Sequence, residues 1–193
     1  MKVISIFGGT GFIGTELINQ LVKMPVEILV FTRNKNKANH LKSLSRVTVL
    51  EFSSQNSLSD HLKGSDVIIN LVGILHEYKN IKFSMAHEDF VTKIIKSALK
   101  QNIKRLIHLS ALGVSKKSLS RYLNSKYKTE VIIENKFKGN DWTILRPSIV
   151  FGLNDKFINL FKSLVRFLPV IFLVSPKSEF QPIHVRAVSY THL

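Results

Sequence analysis

The chain contains no cysteine. That absence excludes a disulfide framework, cysteine-ligated zinc, iron–sulfur ligation and thiol catalysis. Acidic side chains are scarce, 13 against 28 Lys and Arg in 193 residues. Long apolar runs are missing as well. None reaches the roughly 18 to 20 residues needed to cross a bilayer, and the longest, 167–174, is interrupted by Pro169. Met1-Lys2 leads directly into an apolar segment and then glycines, with no small-residue cleavage site, so the opening reads as neither a signal nor a transit peptide. What is present is a 45% hydrophobic content, enough to bury a sizeable core and to exclude wholesale disorder.

The charge excess of +15 is uneven, with 12 basic and 8 acidic side chains in 1–96 against 16 and 5 in 97–193. It is scattered as single lysines or pairs such as Lys116-Lys117. No basic stripe interleaved with aromatics is visible, so nucleic-acid binding is not expected. An anionic membrane surface or an acidic partner suits such a surface better. The plain alternative is that abundant Lys, Asn and Ile reflect base composition. The 7 histidines stand at 40, 61, 76, 87, 108, 184 and 192 without HxH or HxxxH spacing, so no metal site is expected. His87 reads as a helix-surface or packing residue, with a place near a bound cofactor as the alternative, and Glu88-Asp89 as a solvated pair.

Short apolar runs alternate with helical stretches, the pattern of βαβ units on a parallel sheet. Strands are expected at 3–7, 26–32, 47–52, 66–71, 105–109 and 142–145. Helices are expected at 12–23, 35–44, 85–100 and 118–138. Strands this apolar on both faces belong inside a sheet covered by helices. No internal repeat or low-complexity linker divides the chain. After Pro147 the rhythm loosens, which separates a doubly wound α/β domain over 1–150 from the beginning of a second lobe over 151–186.

Gly8-Gly9-Thr10-Gly11-Phe12-Ile13-Gly14 places GxxGxxG at Gly8, Gly11 and Gly14, between an expected strand and an expected helix. Glycine there permits the tight turn, lets a pyrophosphate approach the backbone and lets the helix pack on the strand. The helix N-terminus then offers free N–H groups and a positive dipole end to the phosphates. An acidic residue at the end of the second strand would hold the ribose 2′-OH of NAD. Here Arg33-Asn34-Lys35 stands instead, which favours NADP(H) over NAD(H). Further on, Tyr122 and Lys126 form YxxxK, and spacing four puts both on one helix face. A nearby ammonium favours phenolate, so such a tyrosine is a candidate acid or base.

In order and spacing, these motifs resemble an atypical extended short-chain dehydrogenase/reductase with a Rossmann-type sheet. More closely they resemble the accessory-subunit family of respiratory complex I typified by alpha-subcomplex subunit 9. The residues that carry the resemblance are 8–14, 67–75 (VIINLVGIL), 107–113 (IHLSALG), 122–126, 143–152 (TILRPSIVFG) and 180–183 (FQPI). The resemblance implies a nicotinamide dinucleotide lying across the carboxyl ends of the strands. Gly8, Thr10, Gly11, Phe12, Ile13 and Gly14 would surround its pyrophosphate, and Arg33 its 2′-phosphate. Leu71, Val72 and Gly73 would pass beneath the adenosine ribose, Tyr122 and Lys126 would face the nicotinamide ribose, and Pro147 and Ser148 would lie beside the carboxamide. Three departures stand out. Ala111 takes the register of the usual serine, with Ser110 one residue earlier on the opposite side of the strand. No asparagine stands at the expected place around His87. Ser53 replaces the acidic residue that often contacts adenine.

The family reading implies a cofactor-bound accessory or assembly subunit of respiratory NADH:quinone oxidoreductase, with the nucleotide mainly structural. Its partners would be complex I subunits or an anionic membrane surface, and its place cytoplasmic, peripheral at the inner face of the respiratory membrane. Two alternatives remain open: an NADP-dependent reductase, epimerase or dehydratase using Tyr122 and Lys126, and a redox-sensing regulator. The segment 156–166 reads as an amphipathic helix with a basic rim. The ending 187–193 reads as a non-native tail on a truncated second lobe.

Overall fold

Apolar segments with no polar face pair side by side and need helices on both sides of the sheet. In the computed structural model, which describes residues 1–52, 55–78, 80–155, 159, 165–166 and 180–191, six such segments form one parallel sheet. They are β1 (Lys2–Phe7), β2 (Val26–Thr32), β3 (Val47–Glu51), β4 (Val67–Asn70), β5 (Arg105–Leu109) and β6 (Asp141–Leu145), in the order β3-β2-β1-β4-β5-β6. Register is set at the centre, where Ile4 of β1 lies opposite Ile28 on one side and Val67 on the other. This is a doubly wound Rossmann-type sheet. Its direction of winding reverses between β1 and β4, and a crevice opens there at the carboxyl ends.

The period-two alternation of strand side chains sorts the core into two layers. Ile4, Ile6, Val30, Ile69 and Ile107 pack with Leu17, Ile18 and Leu21 of α1 (Phe12–Leu21) and with Ala38 and Leu41 of a 3-10 helix, Lys35–Leu41. Phe7, Ile68 and Leu106 face the opposite layer, built from α2 (Gln55–His61), α3 (Phe90–Lys100) and α4 (Arg121–Lys136). In that layer Phe7 stacks on Phe31 at 4.6 Å and meets the edges of Phe52 and Phe90. A π-helical turn, Ser84–Asp89, leads into α3.

Beyond β6 a second, two-stranded parallel sheet pairs β7 (Val150–Phe151) with β8 (Ile183–His184). It is followed by α5 (Val185–Thr191), whose Val185 and Val188 are buried. Helix α5 lies against α1, and Arg186 approaches Glu16 at 3.5 Å. The residues set aside above from 187 onward therefore begin inside a packed helix.

The six strands fall within one residue of expectation at each end. The first helix closes at Leu21 rather than 23. Lys23 and Met24 donate to Gln20 and Leu21, three residues back, and tighten the last turn. The second expected helix is 3-10 in type and stops at Leu41. Helix α4 starts at Arg121 rather than 118 because Ser120 is extended and caps it, its Oγ accepting from Leu123 N at 3.4 Å. Helix α2, the β7–β8 pair and α5 had no counterpart in the sequence reading. The helix expected over 156–166 lies outside the described residues apart from 159, 165 and 166, as do Ser53 and the apolar stretch 167–174. Among the described residues no helix is long and apolar enough to cross a membrane.

Phe7 is fully buried beneath the glycine-rich turn. Phe7→Ala is expected to lower unfolding stability by about 3–5 kcal/mol, measured by urea denaturation. A loss below about 1 kcal/mol would show that the four-ring cluster is not core.

Candidate functional site

The crevice is shaped first by backbone. Gly8 follows β1 with φ +81°, and a Cβ on it would stand 3.0 Å from the Leu71 carbonyl carbon and 3.1 Å from Val72 N. The turn therefore leaves β1 pressed against the segment that continues β4, which Leu71 N ties to Phe7 O at 2.9 Å. Gly14 closes the other side, where a Cβ would fall 2.4 Å from Gly8 O and 2.5 Å from Gly9 Cα. Gly11 N donates back to Gly8 O at 3.0 Å. Helix α1 then begins at Gly11 with no side-chain cap and no acidic side chain in its first turn, unlike the Ser120-capped α4. Its first amides and dipole end suit anionic oxygens. Thr10 and Ile13 are half-buried at this end, and the Phe12 ring packs towards Gly152.

At the end of β2 a polar turn turns Arg33 outward. Thr32 Oγ1 accepts from Asn34 N at 3.1 Å, and Asn34 Oδ1 accepts from Asn36 N at 2.9 Å. Arg33 is exposed and, among the described residues, makes no ion pair. Beyond β4, Asn70 Oδ1 accepts from Val72 N at 3.1 Å and holds the strap 71–73.

Tyr122 and Lys126 share one face of α4, as the spacing requires. Lys126 is 3% exposed, and its Nζ donates to Leu109 O at 2.9 Å. Gly73 faces that ammonium, since a Cβ there would stand 3.4 Å from Nζ. Burial lowers the Lys126 ammonium to about 8, and the Glu130 carboxylate one turn on opposes the shift. Burial raises the Tyr122 phenol above its ordinary value, so the hydroxyl is held protonated. The expectation that Lys126 draws Tyr122 towards phenolate is not met in this geometry, because the ammonium is directed at a carbonyl of β5.

Several residues entered this cluster unannounced. His87 is 1% exposed, a packing residue as one of its sequence readings has it and not a helix-surface one, and its ring meets Tyr122 at 5.9 Å, edge to face. Burial, reinforced by the Lys126 charge, lowers its imidazole to about 4. Ser125 joins His87 to α4 through a 2.8 Å contact. Glu130, buried on the same helix, accepts both Arg146 Nε at 2.9 Å and Nη2 at 2.5 Å. That bidentate pair positions the 146–148 segment, where Pro147 O accepts from Leu112 N at 2.8 Å and Ser148 is half-buried. Ala111 is half-exposed at the end of β5, and Ser110 is buried on the face of the strand that carries His108. Ser110 Oγ and His108 Nε2 are buried without a hydrogen-bond partner among the described residues.

A glycine cradle at a Rossmann switch point, followed by a half-buried tyrosine and a buried lysine one turn apart, defines a nucleotide-binding domain. The family model described as NAD(P)H-binding matches residues 8–156, and the chain belongs to that family. The chain is similar to the mitochondrial NADH dehydrogenase (ubiquinone) 1 alpha subcomplex subunit 9 of Arabidopsis thaliana, 33% identical over 193 residues, covering 95% of this chain and 47% of that protein. The corresponding subunit of Mus musculus is 31% identical over 194 residues, covering 97% and 51%. The chain thus spans about half the length of these relatives. The X-ray structure of Pen from Bacillus thuringiensis matches with a TM-score of 0.83 at 17% identity, covering 97% of this chain and 65% of that one, a likeness of fold alone.

Gly14→Ala puts a methyl group into backbone that cannot yield. The variant is expected to bind NADPH at least about tenfold more weakly, measured by fluorescence titration. An unchanged Kd would remove the turn from the binding site.

Proposed function

We propose that the chain is the dinucleotide-holding part of an accessory or assembly subunit of respiratory NADH:quinone oxidoreductase, with NADP(H) serving mainly as a structural clamp. The observation that carries this reading is its 33% identity with an alpha subcomplex subunit 9 across 95% of the chain. The site supports it. Ala111 in place of a serine leaves Tyr122 without the second hydroxyl that would orient a carbonyl substrate, and the Lys126 ammonium is bonded to a main-chain carbonyl rather than to the tyrosine. In this reading the pyrophosphate lies on Gly8, Thr10, Gly11, Phe12, Ile13 and Gly14. Leu71, Val72 and Gly73 pass under the adenosine ribose, Tyr122 and Lys126 face the nicotinamide ribose, and Pro147 and Ser148 flank the carboxamide. Arg33, exposed and with no carboxylate beside it in the turn, selects the 2′-phosphate.

A ligand that binds the folded state alone stabilises it by about 2.7 kcal/mol at a hundredfold excess over Kd. A clamp of this strength needs no turnover. The protein would then act peripherally, on the inner face of the respiratory membrane, with residues 1–150 holding the cofactor and 151–186 beginning the second lobe. A second reading, an NADP-dependent reductase, epimerase or dehydratase, rests on one observation: Tyr122 and Lys126 are both present and adjacent on α4.

Mass spectrometry of nucleotide released on denaturing the purified protein is expected to show NADP+ or NADPH. Arg33→Ala is expected to cut the NADPH-over-NADH preference by about tenfold, roughly 1.4 kcal/mol; an unchanged preference removes Arg33 from the site. Steady NADPH oxidation with a carbonyl or sugar-nucleotide substrate, abolished by Tyr122→Phe, would replace the first reading with the second.

A further inference from the structure

His87 sits within the π-helical turn Ser84–Asp89, where the backbone is wider than in the α-helix that continues it. Its imidazole stacks on Phe83 at 5.6 Å and is bonded at both nitrogens. Ile74 N donates to Nε2 at 3.1 Å, so that nitrogen carries a lone pair. Nδ1 lies 2.8 Å from Ser125 Oγ, and the same hydroxyl donates its proton to Tyr122 O at 2.7 Å. Nδ1 must therefore carry hydrogen and Ser125 must accept it. One tautomer, Nδ1–H, satisfies all three bonds. The imidazolium loses the Ile74 bond, and the Nε2–H tautomer loses it too and leaves the Ser125 hydroxyl one proton for both Nδ1 and Tyr122 O.

The two ring partners belong to two segments, Ile74 to the strap after β4 and Ser125 to α4, and His87 ties both to its own turn. Ile74 follows Gly73, on which an added Cβ would stand in ordinary contact with Lys126 Nζ, 3.4 Å, and His87 Nε2, 3.7 Å. Ser125 immediately precedes Lys126 on α4. We propose that His87, as its Nδ1–H tautomer, is a positioning residue that ties Ile74, just past the strap 71–73 held by Asn70, to α4 beside Tyr122 and Lys126, and so keeps that side of the dinucleotide crevice in shape. The proposal rests on the reading of this crevice as the NAD(P)(H) site. The ionisable groups around His87 are Lys126 and Tyr122 on α4 and His108 on β5, with Glu88 and Asp89 next to it in its own turn. Glu77 beyond the strap is paired with Arg121 at 2.6 Å.

Burial and the Lys126 charge both disfavour the imidazolium. With the folded value lowered from 6.5 to about 4, the stability that neutral His87 contributes is complete above pH 6.5 and is lost as pH falls towards 4.

Two substitutions separate positioning from packing. Gln places its terminal amide near Nε2 and keeps an acceptor for Ile74, whereas Asn reaches only the Nδ1 position. His87→Gln is expected to bind NADPH within about threefold of wild type at pH 7.5, and His87→Asn at least about tenfold more weakly. Between pH 6.5 and 4 the unfolding constant of the wild type is expected to rise by up to about tenfold more per pH unit than that of His87→Gln. On unaltered, 15N-histidine-labelled protein, two-bond 1H–15N spectra are expected to show His87 as Nδ1–H and to shift on adding NADPH. An Nε2–H tautomer, no shift of the His87 signals on adding NADPH, equal losses in the Gln and Asn variants, or no loss in either overturns the proposal. If NADPH still binds the wild type, only the role of His87 falls. A wild type that binds no pyridine nucleotide overturns this proposal and the cofactor reading together.

Discussion

Two stretches of main chain touch at the centre of this molecule with no side chain between them. Gly8, at the end of β1, lies against Leu71 and Val72 at the end of β4, where a single added carbon would stand 3.0 Å from a carbonyl. Everything at the carboxyl edge of the sheet is referred to that contact. It fixes where α1 begins, how its uncapped first turn faces the crevice, and how the strap 71–73 enters it. The sheet register, Phe7 opposite Phe31 and Asn70, carries the contact back into the core. Ile6, Ile18 and Val30 close in under Gly9, where an added Cβ would stand 2.8 Å from Val30 Cγ1 and 3.0 Å from Ile18 Cδ1, and give the loop a rigid floor because close-packed interiors yield little.

A second line of contacts runs along α4. Tyr122, Lys126 and Glu130 succeed one another at intervals of four, and Glu130 ends the row on Arg146 of the segment after β6. The row alternates a neutral phenol, a weakened ammonium and a paired carboxylate. Removing Glu130 would leave Lys126 with burial alone and Arg146 without its fork. The row therefore supports both the charge state of Lys126 and the placing of Pro147 and Ser148.

Much of this was legible in the residue order. The strand limits were readable because each apolar run is bounded by glycine, proline or a polar turn, as at Pro25 before β2 and Arg33 after it. The cradle was readable because three glycines at spacing three, between a strand and a helix, have a backbone reason. What escaped had physical causes of its own. Helix α2 is seven residues of mostly polar sequence, QNSLSDH, too short for a 3.6 period to emerge. The π-turn at Ser84–Asp89 is hidden because an extra residue in one turn barely disturbs the apolar spacing of the helix it joins. A lone histidine in such a stretch does not tell a surface place from a packed one, and here it is packed, 1% exposed within the turn. The direction of the Lys126 ammonium, towards Leu109 O rather than its tyrosine, is a matter of tertiary placement that YxxxK does not encode.

Helix α1 is loaded at both flanks. Its first residue, Phe12, meets Gly152 from the crevice side, and α5 lies along it with Val185 filling the same gap. The space at Gly152 is so small that a Cβ would collide with both residues, at 3.0 Å and 2.9 Å. Such a joint behaves as a stiff linkage. Any displacement of α5 is thereby passed through Val185 and the 151–152 backbone to Phe12, the very residue from which α1 sets out, so the second sheet and the glycine turn are mechanically one body.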